Sequence, residues 1–210
     1  MIRRRDAGRP PLTVAITGAS GAPYAIRILQ QLLLAERPVW LIVSSHGWRL
    51  LETESGITSP EDLRSQVGGD SWDPLVTTFD DRDRGASPAS GSARSAGMLV
   101  CPCSMGTLSA ISLGASRSLI ERAADVTLKE RRRLVLVPRE TPLSAIHLEN
   151  MLRVTRAGAT VLPAAPGFYA SPTSISDLVD FIAARVLDHL GVEHALGKRW
   201  QAGAREERGQ

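Results

Sequence analysis

Residues 12–17, Leu-Thr-Val-Ala-Ile-Thr, form an apolar, β-branched run that breaks on Gly18-Ala19-Ser20-Gly21. That is the pattern of a buried strand feeding a tight turn. From Ala22 the apolar residues Ala22, Ile26, Leu29 and Leu33 recur at helical spacing, with Arg27 and Gln30 off that stripe. Pro23 falls in the first turn of this helix, where its missing N–H costs nothing. Residues 39–43 predict a second buried strand, ending at Ser44-Ser45, and a helical stretch follows from Gly47 to about Glu54. Residues 80–97 mix charge with Gly, Ser, Pro and Ala and read as a long loop, a length that usually carries function. A third strand is expected over 98–101, halted by Pro102, with Ser104 as the N-cap of the next helix. The pattern then predicts a helix over 118–131, a strand over 134–137, a helix over 142–156 and a strand over 159–162. The last element is an amphipathic helix over 175–190, closed by Gly191. Alternating strands and helices specify an α/β class: a single doubly wound, Rossmann-like (flavodoxin-like) parallel sheet with helices on both faces. One domain is expected over 12–200, after a flexible extension (1–11) and before a frayed tail (201–210).

Composition narrows the function classes. The chain has 210 residues, 43% hydrophobic and 22% charged, enough for one large core without disulfides or a structural metal. Aromatics are 4%, so the core is aliphatic. No apolar run approaches the roughly 20 residues needed to cross a bilayer, so no membrane insertion is expected. The net charge of +3 owes much to Arg3-Arg4-Arg5 and Lys198-Arg199 at the two ends. It lacks the basic stripe that would mark a nucleic-acid partner. The apolar stretch after the three arginines is short and enters a glycine turn, so it reads as a strand and not a signal peptide. The expected address is cytoplasmic. Cys101 and Cys103 are expected on opposite faces of their strand, poorly placed to pair, and two thiols make no zinc site. No metal site is expected.

Ligands of such sheets bind beyond the carboxyl ends of the strands. Four of those ends carry unusual residues: Gly18-Ala19-Ser20-Gly21, Ser44-Ser45, Pro102-Cys103-Ser104 and Pro138-Arg139-Glu140. The first sets backbone N–H groups and a hydroxyl at a helix N-terminus, an anion site, although a turn glycine plus a capping serine would read the same way. Its G-x-x-G spacing is not the dinucleotide fingerprint, and Ser44 stands where a ribose-gripping acid would. These ends suit a phosphate monoester such as FMN better than NAD. Arg122 and Lys129, seven apart, share one helix face. Arg139 and Glu140 end an otherwise apolar strand, where buried charge is costly unless something ionic needs it. Arg185 interrupts the apolar face of the last helix between Ile182 and Val186. Singly, each reads as a surface salt bridge. Together, cations around one carboxylate are what phosphate recognition in a dry crevice requires. Asp80-Asp81-Arg82-Asp83 reads as a solvated charge run, and His46, His147, His189 and His194 sit in no catalytic context.

Several motifs are carried in order along the chain: Thr17-Gly18-Ala19-Ser20-Gly21-Ala22, Cys101-Pro102-Cys103-Ser104, Leu119-Ile120-Glu121-Arg122-Ala123-Ala124-Asp125-Val126, Leu128-Lys129-Glu130-Arg131-Arg132, Val137-Pro138-Arg139-Glu140-Thr141-Pro142 and Pro163-Ala164-Ala165-Pro166-Gly167-Phe168-Tyr169. In these the chain resembles the UbiX/phenylacrylic acid decarboxylase-type flavin prenyltransferases from about Leu12 to Trp200. The resemblance implies transfer of a dimethylallyl group from dimethylallyl monophosphate to N5 and C6 of reduced FMN. The prenylated FMN would then pass to a UbiD-type decarboxylase. It implies that Gly18, Ala19, Ser20, Ser44, Ser104, Met105, Gly106, Thr107 and Arg139 hold FMN. Arg122, Lys129, Glu140, Tyr169 and Arg185 would surround the prenyl phosphate, with Glu140 a candidate proton donor and Lys129 beside it. Ser20 and Glu54 are candidates for supporting proton movement. Fixed cations would stabilise the leaving phosphate in place of a metal. A homododecamer with active sites between subunits is also implied. One departure stands out: some relatives place a tryptophan where this chain has Arg84-Gly85-Ala86. Two alternatives remain: an FMN-dependent cysteine decarboxylase and a non-catalytic flavin carrier. The first would want an Asn in the segment that here reads Pro88-Ala89-Ser90-Gly91-Ser92. The second leaves the charged set without a task.

Overall fold

The computed structural model describes residues 8–197; the terminal arginines, Lys198-Arg199, Trp200 and the tail lie outside them. Six parallel strands are ordered β3-β2-β1-β4-β5-β6: β1 (Leu12–Ile16), β2 (Val39–Val43), β3 (Val76–Asp80), β4 (Gly97–Cys103), β5 (Leu134–Pro138) and β6 (Thr160–Val161). The chain winds outward from β1 to β3, crosses back beside β1 with β4, and winds outward again. Strand order therefore reverses between β1 and β4, where a doubly wound sheet opens its ligand crevice.

The helices are α1 (Ala22–Leu34), α2 (Ser45–Ser55), α3 (Pro60–Val67), α4 (Met105–Ser112), α5 (Leu119–Lys129), α6 (Ala145–Arg156) and α7 (Ile175–Leu190). Strand alternation splits the core into two layers. Leu12, Val14 and Ile16 of β1 pack with Ile28 and Leu32 of α1 and Ile182 and Val186 of α7. Ala15, Met98 and Val100 pack on the other side with Leu108 of α4, Ala123 of α5 and Val154 of α6. Helices thus cover both faces, and the central strands are mostly apolar for that reason.

Three expectations change. The pattern did not anticipate α3 or β3; β3 is an edge strand, half exposed, and its Thr77-Thr78 carry no buried alternation. β4 does not halt at Pro102 but continues to Cys103, with a register shift against β5 between Val100 and Cys103. The cysteines do lie on opposite sides of the sheet as expected, but because of this shift and not because of strand alternation. In a regular strand residues two apart share a face, so C-x-C alone would put both thiols on one side. The irregularity instead sends Cys101 into the layer of α1 and α7 and Cys103 into the layer of α4 and α5. Both are free and buried, and burial pushes the Cys103 thiol up to about 12. Finally, the 80–83 charge run is only partly solvated. Asp80 pairs with Arg82 at the surface, but the Asp81 carboxylate accepts the Ile120 N–H (2.9 Å) and its carbonyl accepts that of Leu119 (2.7 Å), pinning the start of α5.

Candidate functional site

A cleft of about 380 Å³ opens at the carboxyl ends of β1, β2 and β4, walled by Gly18, Ser44, Ser45, His46, Ser104, Thr107 and Ser118, with Asp81 and Glu121 on one side. Three helix N-termini meet there, each capped by serine. Ser44 Oγ accepts the Gly47 N–H at 3.0 Å, Ser104 Oγ accepts that of Thr107 at 3.1 Å, and Ser118 Oγ accepts that of Glu121 at 3.4 Å. Ser104 Oγ also donates to Thr107 Oγ1 at 3.0 Å. The start of α5 is already occupied, because Asp81 takes its Leu119 and Ile120 N–H groups, so the anion-binding concavity is made by the dipoles and first-turn N–H groups of α2 and α4. The neighbouring hydroxyls add donors without adding charge.

Two glycines permit this wall. A Cβ on Gly18 would stand 2.4 Å from His46 Cβ, and one on Gly47 would stand 2.5 Å from the Ile16 carbonyl oxygen. The end of β1 and the start of α2 can approach that closely only without side chains. Thr17, 1% exposed, links β1 to β4: its hydroxyl donates to Pro102 O (2.9 Å) and accepts the Ser104 N–H (2.8 Å).

The Gly18-Ala19-Ser20-Gly21 turn differs from the expected anion site. The N-terminus of α1 is already filled, because Glu54 Oε2 accepts both the Gly21 and the Ala22 N–H at 2.8 Å. Burial alone would raise the Glu54 carboxyl. Hydrogen bonds from Gly21, Ser20 and Ala22, with the charge of Arg139, outweigh it and hold Glu54 below the usual range. Arg139 Nε in turn donates to Ser20 O at 3.3 Å. Ser20, Glu54 and Arg139 are thus one cluster beside the cleft, with Glu54 an ionised clamp. Ala19 and Met105 are buried, while Gly106 is exposed at the start of α4.

The charged set is distributed more widely. Arg139 and Glu140 emerge past the end of β5 and are exposed, not buried; Glu140 Oε1 accepts the Thr141 N–H. Arg122 and Lys129 do share a face of α5, the one lying along residues 88–92. Arg122 Nε donates to Ala89 O at 3.3 Å, and a Cβ on Gly91 would meet Lys129 Nζ at 2.7 Å. Arg122 pairs with Asp125 and Lys129 with Glu130. Arg185 does not interrupt the buried face of α7: it is exposed and pairs with Asp188. Tyr169 meets Phe181 edge-on at 5.7 Å, one helical turn before Arg185, so these two share one side of α7. Arg84 is exposed and donates to Ser116 O. Within one chain, the cleft and the Ser20–Glu54–Arg139 cluster are assembled; Arg122 and Lys129 form a second group, Tyr169 and Arg185 a third.

Besides the apolar Ile120, four lining residues escaped the sequence reading. Ser118 and Glu121 were legible as Ser-x-x-Glu, the signature of a capped helix start. Asp81 was masked by its charged neighbours, and His46, whose Nδ1 meets the neighbouring Ser45 hydroxyl at 3.5 Å, stands in no recognisable motif.

The chain matches the Flavoprotein family over residues 2–187. It is 50% identical over 191 residues to the flavin prenyltransferase UbiX of Alkalihalophilus pseudofirmus, covering 90% of this chain and 95% of that one. The structure of AnUbiX in complex with FMN and dimethylallyl pyrophosphate superposes with a TM-score of 0.82 at 41% identity, over 92% of this chain and all of that one. The dodecameric FMN-dependent UbiX-like decarboxylase of Escherichia coli O157:H7 superposes with a TM-score of 0.83 at 42% identity, over 91% of this chain and 99% of that one. With serine-capped helix ends at the reversal of strand order, and with identity of this degree along nearly the whole chain, the protein belongs to the flavoprotein family and, within it, to the UbiX flavin prenyltransferases.

Proposed function

We propose that this protein joins the dimethylallyl group of dimethylallyl monophosphate to N5 and C6 of reduced FMN. The observation that carries the flavin half is the convergence of the serine-capped starts of α2 and α4 on one cleft at the reversal of strand order, whose N–H groups and hydroxyls fit a phosphate monoester. Gly18, Ala19, Ser20, Ser44, Ser104, Met105, Gly106, Thr107 and Arg139 would hold FMN. Bound reduced flavin supplies the two atoms that accept the prenyl group.

The chain's own residues supply the rest. Cleaving an allylic C–O bond leaves negative charge on the departing phosphate, and Arg122, Lys129 and Arg185 are the cations that would stabilise it. Glu140, adjacent to Arg139 at the end of β5, would give the phosphate a proton. Tyr169 would hydrogen-bond the phosphate and set its ring beside the developing cation. Ser20 is held next to the Glu54 carboxylate, where its hydroxyl can pass a proton. The three groups of one chain would be completed by a neighbouring subunit of a homododecamer. The product would serve a UbiD-type decarboxylase. Among the described residues no helix is long and apolar enough to cross a membrane, and a cytoplasmic address belongs with this reading.

The test is mass spectrometry of the flavin after anaerobic incubation with FMN, reductant and dimethylallyl monophosphate in EDTA. A gain of one C5 unit is expected. Unmodified flavin with the monophosphate but a C5 gain with the diphosphate would change the donor. Unmodified flavin with both would favour the non-catalytic flavin carrier or the FMN-dependent cysteine decarboxylase instead.

A further inference from the structure

His194 lies beyond the last helix, yet its side chain is only 2% exposed. α7 ends at Gly191 in the left-handed region (φ 69°), and the chain folds back. The Val192 N–H bonds Leu187 O at 3.0 Å, and Val192 and Leu196 bury themselves in the core layer of α1 and α7. The fold-back seats the imidazole over the last turns of α7. The Leu196 N–H donates to His194 Nδ1 at 3.1 Å. Nδ1 therefore presents its lone pair and the ring proton sits on Nε2. That nitrogen donates to Asp188 Oδ1 at 3.2 Å, while Asp188 Oδ2 accepts from Arg185 Nη1, also at 3.2 Å.

We propose that His194 and Asp188 are positioning residues for Arg185 in prenyl-phosphate recognition. The proposal rests on Arg185 being a phosphate ligand, as above. Arg185 is half exposed, and a long side chain free to swing gives up rotamer freedom when it grips an anion. An i,i+3 pair on a helix surface does little to prevent this, because the carboxylate swings as well. Here the second carboxylate oxygen is held by a ring that the core and the Leu196 N–H keep in place. The relay thus runs from packed backbone through imidazole and carboxylate to one edge of the guanidinium. Nε and Nη2 are left to face an anion bidentately, the geometry that distinguishes arginine from lysine. The segment after α7 thereby acts on the substrate site without touching substrate.

The experiment titrates dimethylallyl monophosphate into the full-length, FMN-loaded protein by calorimetry, alongside KM and kcat. Arg185→Ala should weaken binding. His194→Ala should raise Kd and KM three- to tenfold with kcat within twofold and flavin retention unchanged. His194→Gln, whose amide nitrogen reaches toward Asp188, should recover most of the loss. The Arg185→Ala/His194→Ala double variant should bind no worse than Arg185→Ala alone. If His194→Ala does not fold, Asp188→Asn replaces it in both backgrounds with the same expectation. Native binding in the His194 and Asp188 variants, or losses that multiply in the double variant, would overturn the relay. Native binding by Arg185→Ala would instead remove Arg185 as a ligand, leaving His194 and Asp188 as a latch for the end of α7.

Discussion

Thr17→Val isolates one hydroxyl that ties the two central strands together at the site. Pairing of β1 with β4 ends at Ala15–Val100, and the register shift of β4 follows, so the strand ends need another link. The Thr17 side chain supplies it, accepting the Ser104 N–H and donating to Pro102 O. Valine fills the same space without either bond. Pro102 O keeps the Thr17 N–H at 3.2 Å, so only the Ser104 N–H is orphaned. An orphaned buried donor costs roughly 1–3 kcal/mol and the lost bond about 0.5–1.5 kcal/mol, together about 2–4 kcal/mol. For a chain of this size each kcal/mol lowers Tm by roughly 2–4 °C, so a fall of about 5–15 °C is expected. The measurement is an apparent Tm at one fixed protein concentration, since assembly makes Tm concentration-dependent. Thr17→Ser keeps the hydroxyl and should lose only the part due to one methyl, about 1 kcal/mol. FMN retention should fall in the valine variant, because the Ser104 N–H positions the Ser104–Thr107 pair of the cleft. A valine variant melting within about 2 °C of the parent, or a serine variant equally damaged, would refute this account of the hydroxyl.

Glu54 sits below its ordinary value of 4.5, so its clamp on α1 stabilises the fold fully above that value and is lost as pH falls through the lower folded one. The Tm difference between the parent and Glu54→Gln should therefore be largest near neutrality and close below about pH 4.5; a difference independent of pH would show that the charge is not what matters. Glu140 is exposed and supports no helix cap or core contact, so Glu140→Gln should keep FMN binding and Tm while cutting prenyl transfer by about 10²-fold or more, the scale of a lost general acid. Native turnover would take Glu140 out of the mechanism. Gly47→Ala would drive a methyl group into the Ile16 carbonyl at 2.5 Å and should cost about 1–3 kcal/mol, as overpacking does, together with loss of flavin retention; a native melt would mean that β1 and α2 can separate freely.

Much of the fold was legible because most strands are buried on both faces and so read as unbroken apolar runs. β2 is Val-Trp-Leu-Ile-Val and β5 is Leu-Val-Leu-Val-Pro, and α7 begins and ends where its pattern and its glycine stop say. β3 was not legible, since an edge strand exposes one side and Thr77, Thr78 and Asp80 carry no apolar alternation. The serine caps at 44, 104 and 118 could each be found locally, because a cap is a contact within four residues. The Glu54 clamp could not: its partners lie 32 and 33 residues away, and nothing around Glu54 marks it. Arg139 and Glu140 were misjudged as buried because the strand before them is, whereas the sheet ends at Pro138 and releases both to the surface.

The sequence by itself determined the alternation of strands and helices, the chemistry available at each strand end and, through its ordered motifs, the family. These are properties of local propensity and of residue identity, which neighbours in the chain carry. Only the tertiary structure decided that three helix starts meet at one cleft, that those of α1 and α5 are already filled by a carboxylate, and that a register shift is what parts the cysteines. It also decided that the charged set of one chain is held in separate groups. Each of these is a matter of strand order, register and chain reversal, which bring together groups tens of residues apart, and no short-range pattern records such an encounter.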